Sequence, residues 1–145
     1  MNIIRTAIAF LLSAAATYTL ASIFYTQQVI AKMAAVGAVY STSQQVDTYV
    51  SNFTGLYQLG VMYAIALFAG FAVAFIVKRI LKPLAPAAYP IAGGAGVFAV
   101  LWAIDTFIAG GNVGAIGGAR DALGLSLQVL AGAIGGGVFA YLRPR

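Results

Sequence analysis

The chain has no cysteine, no histidine and no glutamate, and its only acids are Asp47, Asp105 and Asp121. Without cysteine there are no disulfides, thiolate metal clusters or thiol nucleophiles. Without histidine the commonest metal and haem ligand, and the side chain best suited to proton transfer near neutral pH, are gone. Charge of both signs is scarce: 8% of the 145 residues are Asp, Glu, Lys or Arg, against about 25% in an average soluble domain. That is too little to clothe a water-facing surface, so a soluble enzyme, a disordered tail and a nucleic-acid module are all excluded, despite a net charge of +5. What remains is apolar, with 62% hydrophobic residues and a mean hydropathy of +0.95.

A hydrocarbon core of about 30 Å needs roughly 20 apolar residues of helix. The charged residues divide the chain into four stretches that meet this requirement, with helices expected near 6–25, 56–78, 89–108 and 121–142. The fold class read from the sequence is therefore all-α, a polytopic membrane protein whose residues 1–145 form a single bundle of four transmembrane helices. The first stretch also has a short basic start at Arg5 and a small-residue run, Ala14-Ala15-Ala16, that resembles a signal-peptide cleavage site. Because the apolar run continues through Phe24, it reads as an uncleaved signal anchor.

With both termini on one side, that side collects Arg5, Lys78, Arg79, Lys82, Arg143 and Arg145, and the other keeps Lys32 and Arg120. Lys and Arg are retained on the cytoplasmic side of short loops. The bias therefore predicts a protein of the bacterial cytoplasmic (inner) membrane with both termini in the cytoplasm. Binding of anionic lipid headgroups is a compatible, secondary use of the same charges.

The outer segment 26–55 is expected to hold an interfacial helix on Val29, Met33, Val36 and Tyr40, or a continuation of the first helix toward Tyr40. Ser41-Thr42-Ser43-Gln44-Gln45 would then follow as a polar connector. Pro83 and Pro86 should end the second span, and Pro90 is tolerated in the first turn of the third. Gly110–Gly118 is glycine-rich, but without a Walker lysine or a preceding strand it reads as a connector. Asp121 suits the N-cap of the last helix.

Helices associate in lipid through close backbone approach, which small residues four apart permit. Such rows occur at Ala9, Ser13, Thr17 and Ala21; at Ala66, Gly70 and Ala74; at Ala95, Ala99 and Ala103; and at Gly132, Gly136 and Ala140. About two residues in five are Ala, Gly, Ser or Thr, so rows of this kind also arise by chance. The run Gly135-Gly136-Gly137 is more informative, since each glycine costs about 1 kcal/mol of helix propensity relative to alanine. Gly132, Gly135, Gly136, Gly137 and Ala140 are therefore the packing candidates, toward a neighbouring span or another subunit.

Asp105 is the one acid within a span. An intramembrane ionisable group is a functional candidate until its depth is known. At 1.5 Å per residue from Pro90 it lies about 22 Å along a path of about 30 Å. That position favours a structural pair with Arg120 near the outer surface over a mid-membrane ion site. Thr17, Tyr18, Thr19, Tyr63 and Gln128 are further polar residues in the spans, of the kind that bond to their own helix or join neighbours. No nucleophile–base constellation is legible, so no enzymatic activity, cofactor or metal is expected. The sequence reads as a structural or accessory subunit, or an assembly factor, of a larger membrane complex. Its partners would be membrane lipids and other integral membrane proteins or a second copy of itself, with no nucleic acid; the alternative is a small homo-oligomeric channel or transporter.

Overall fold

The structure is a computed structural model, described here for residues 2–108 and 116–143. The described residues form five α-helices: α1 (Asn2–Ala35), α2 (Thr42–Gly55), α3 (Tyr57–Ile80), α4 (Ala88–Ala103) and α5 (Ala122–Leu142). The end of α4 widens into a π-helical turn, Ile104–Ile108. Helices α1, α3, α4 with its π turn, and α5 are each long and apolar enough to cross a membrane. This makes the chain a multi-pass membrane protein by helix length and composition. Gly110–Ala115 of the glycine-rich connector, and Arg145, lie outside the described residues.

α1 runs ten residues beyond the expected 6–25 limit. Neither glycine nor proline interrupts the chain until Gly37, and Gln27, Gln28 and Lys32 are good helix formers. Gly37 ends it with φ +89°, a left-handed conformation suited to glycine. The Ala38 N–H donates to the Met33 carbonyl and the Gly37 N–H to the Ala34 carbonyl, the paired bonds of a Schellman cap.

The segment expected as a polar connector begins a helix instead. Ser41 is the N-cap of α2, with a reciprocal capping box: the Gln44 N–H donates to Ser41 Oγ, and the Ser41 N–H donates to Gln44 Oε1 at 2.9 Å. The signature is Ser-x-x-Gln, and its polar residues satisfy the free N–H groups of a first turn. Leu56 then joins α2 to α3 directly. At the other end, Pro83 sits in a 3-10 turn, Lys82–Leu84, and Pro90 is the third residue of α4.

α5 packs most extensively, with α1 on one flank and α4 on the other, and α3 covers α4. α1 and α3 meet far less, which leaves a cleft between them. Asn2 and Arg143 line this same cleft, so the N-terminus of α1 and the C-terminus of α5 share one end of the bundle. Large apolar side chains such as Ile4, Ile8, Leu11, Val61, Ile65 and Phe68 point outward, as they should where the solvent is hydrocarbon.

The small-residue rows divide unequally. Ala9, Ser13, Thr17 and Ala21 are the buried stripe of α1, and Gly132 and Gly136 are buried on α5 with Ala140 half-buried beside them. In α3 only Ala74 of its row is buried, and the stripe is built instead from Leu59, Tyr63, Leu67 and Phe71. The Ala95–Ala99 row of α4 faces outward. Tyr89, Gly93, Val97 and Leu101 form its buried stripe, because the larger apolar contact with α5 lies on that side.

Candidate functional site

The centre of the bundle is an interface of backbone on backbone. A Cβ placed on Gly132 would stand 2.5 Å from the Gly93 carbonyl oxygen and 2.6 Å from Val97 Cγ2. One on Gly136 would meet the Tyr89 carbonyl and come within 2.9 Å of Pro90 Cα. On the opposite flank of α5, Gly135 is pressed against Thr17 Oγ1 and the Ser13 carbonyl of α1. Three of the glycines singled out from the sequence thus set the approach of α5 to α4 and α1 of the same chain. Gly137 has open space where its Cβ would be, and Ala140 packs at the edge of the Phe71–Tyr89–Phe139 cluster.

Polar side chains run along the buried face of α1 and join it to its neighbours. Ser13 Oγ donates to the Gly135 carbonyl at 2.6 Å. About two turns beyond, Gln128 of α5 is a three-helix junction: its Nε2 donates to the Ala21 carbonyl of α1 at 3.0 Å, and its Oε1 accepts from the Tyr63 hydroxyl of α3 at 2.9 Å. Toward the far end Thr26 donates to the Ser22 carbonyl and accepts from Asn52 Nδ2 of α2 at 3.1 Å. The Tyr18 hydroxyl donates to the Phe53 carbonyl, and their rings lie 5.0 Å apart. Among the described residues, the buried Thr17 Oγ1 and Ser22 Oγ have no hydrogen-bond partner.

Sequence reasoning named Tyr63, Gln128 and Thr17 only as a class. It did not show that Gln128 and Tyr63 meet, because they lie 65 residues apart. These are neutral hydroxyl and amide groups. Their geometry fastens helices, and none of them is a strong proton acceptor.

At the far end, Lys32 Nζ lies 3.4 Å from Asp121 Oδ2 and donates to the Gly117 carbonyl at 3.2 Å. Asp121 is the N-cap of α5, its Oδ1 accepting from the Gly124 N–H at 2.8 Å. That backbone bond, followed by the Lys32 ammonium, holds its carboxyl below the usual carboxylate range. Asp105 is half-buried in the π turn and Arg120 is exposed immediately before Asp121, and neither is without a partner. Lys32 thus has an acid that the sequence did not assign to it.

The opposite end of the bundle is basic and aromatic. Phe71 stacks on Phe139 at 4.5 Å between ring centroids, and both pack against Tyr89. Arg143 lies over the Tyr89 ring and its Nη1 donates to the Tyr89 hydroxyl at 2.8 Å. Lys78 lies 5.0 Å from the Phe75 centroid and 5.3 Å from that of Tyr89, with Arg79 4.3 Å from Phe75. No family model, no curated protein and no solved structure matches this chain.

Proposed function

We propose that the chain is a non-catalytic protein of the bacterial cytoplasmic membrane that acts by associating with other integral membrane proteins, as an accessory subunit or assembly factor. One observation carries this reading: α1 is longer than a bilayer requires, and α2 pairs with it as a hairpin. The 34 residues of α1 make a rod of about 51 Å, against a hydrocarbon core of about 30 Å. Toward its tip the hairpin presents Val36, Val39 and Val46, each more than half exposed. Apolar side chains that face lipid are at rest, whereas the same side chains standing past the headgroups are covered only by another protein. Ser13, Tyr63 and Gln128 of the interior are spent on joining α1, α3 and α5, which favours a structural bundle over a transport path.

The basic end, with Lys78, Arg79, Lys82 and Arg143, is assigned to the cytoplasm on the Lys/Arg bias. Reporter fusions after Arg145 and within 41–45 should report opposite sides of the membrane, with the hairpin outside. The functional test is extraction into nanodiscs followed by mass spectrometry of the intact assembly. The wild type should carry foreign membrane subunits in fixed stoichiometry, and a Val39→Glu, Val46→Glu double variant should lose them while remaining folded. Should the wild type purify only with itself and conduct ions when reconstituted alone, the channel reading replaces this one.

A further inference from the structure

The cleft between α1 and α3 has a volume of about 660 Å³, within the ~300–1,000 Å³ common for small-molecule sites. Its walls are apolar: Ala7 and Phe10 from α1, Phe68 and Ala72 from α3. Buried Phe71, Tyr89 and Phe139 make its floor. It extends over residues 3–10 of α1 and 68–75 of α3, about 10 Å along the helix axis. Arg143 lines it, and Lys78 and Arg79 stand against the rings of Phe75 and Tyr89 that also line it.

The chain's three acids do not balance these cations. Asp121 pairs with Lys32 at the other end of the bundle, Asp105 lies in the final turn of its span, and Asp47 belongs to α2, which precedes the outer start of α3. An apolar slot that opens between two membrane-spanning helices, with a cluster of cations at one rim, is complementary to an amphiphile with a negative head.

We propose that this cleft holds one anionic phospholipid of the leaflet at the basic end. The upper part of an acyl chain lies against Phe71, Tyr89 and Phe139, and the phosphate lies among Lys78, Arg79 and Arg143. Aromatic faces beneath the cations hold them by cation–π attraction at the rim instead of leaving them dispersed in water. Arg143 is the fixed member, tied to the Tyr89 hydroxyl, with donors left over for phosphate oxygens. The inference stands on the membrane-spanning fold and the cleft, and does not depend on any protein partner.

The test uses the full-length protein, purified alone and reconstituted in vesicles of equal phosphatidylglycerol and phosphatidylcholine, then released for native mass spectrometry. The wild type should retain one phosphatidylglycerol in preference to phosphatidylcholine, and added inorganic phosphate should not displace it. Lys78→Gln and Arg79→Gln change exposed or half-exposed side chains, and each should lower retained phosphatidylglycerol by roughly fivefold. Ala72→Phe, which fills the slot from α3, should abolish retention of either lipid while the circular dichroism of the bundle is unchanged. Equal retention of the two lipids, retention unaffected by the charge variants, displacement by free phosphate, or cross-linking from position 72 to a protein helix in native membranes would each overturn the proposal. Partner capture by the α1–α2 hairpin is scored in a separate experiment, so either reading can fail alone.

Discussion

Gly93 and Gly132 face each other across the α4–α5 interface so closely that a Cβ on Gly132 would stand 2.5 Å from the Gly93 carbonyl oxygen. The contact is between main chains, and neither partner has a flexible end that can move aside.

Gly132→Ala should therefore force α5 off α4 and destabilise the bundle by about 1–3 kcal/mol, the usual range for overpacking a filled site. Gly137→Ala is the internal control. Its Cβ meets nothing within 4 Å, so the change should be neutral or stabilise by up to about 1 kcal/mol through helix propensity. Thermal unfolding of both variants in one detergent checks the pair. Equal effects of the two changes would mean that the close approach at Gly132 does not govern the stability of this segment.

Tyr63→Phe should cost about 0.6 kcal/mol and no more than about 1.7, the mean and maximum measured for interhelical hydrogen bonds in a membrane bundle, because it leaves Gln128 Oε1 buried without its donor. Gln128→Leu removes both bonds and strands the Tyr63 hydroxyl. The double variant Tyr63→Phe, Gln128→Leu should recover part of the summed loss, since no orphaned side-chain group remains. Strict additivity in equilibrium unfolding would show that the two side chains are energetically uncoupled.

Asp121 gives the fold a pH dependence of known sign. Its carboxyl is depressed in the folded state by the Gly124 N–H and then by Lys32, so its contribution is fully present above the ordinary carboxylate pKa. As pH falls below that value the unfolded chain takes up the proton first and stability declines, until the folded carboxyl is protonated too. Asp121→Asn keeps an N-cap acceptor and should flatten this acid limb. The measurement is melting temperature against pH, and an acid limb identical in wild type and variant would remove Asp121 as its source.

The Asp105–Arg120 pairing proposed from depth is tested by a cycle of Asp105→Asn and Arg120→Gln. Each single change should lower thermal stability in detergent and the double change should fall short of their sum. If Asp105→Asn instead abolished a transport signal with stability and assembly intact, an ion site would take the place of the structural pair.

Two of the local features missed in reading the sequence were written in it. Ser41-Thr42-Ser43-Gln44 is a capping-box signature and Gly37 a helix stop. Both were obscured because a polar stretch between apolar runs also reads as a connector. Gly110–Ala115 lies outside the described residues, so its reading as a connector stands as an expectation.

The sequence by itself determined that this chain has four helices long and apolar enough to cross a membrane, and roughly where each lies, though not the far end of α1. Those properties follow from the length of charge-free apolar runs and from proline and glycine, which act on their own neighbours. Only the tertiary structure decided which small residues pack. Ala95 and Ala99 have the same spacing as Gly132 and Gly136, yet the first pair faces outward and the second is buried. In hydrocarbon an alanine is equally at ease on either face, so hydropathy does not orient a helix, and the fit of neighbouring backbones does. The same holds for Gln128, Tyr63 and Ala21, and for Lys32 and Asp121. These residues are distant in the chain and have no mutual signal in it, and they meet because α5 lies between α1 and α4.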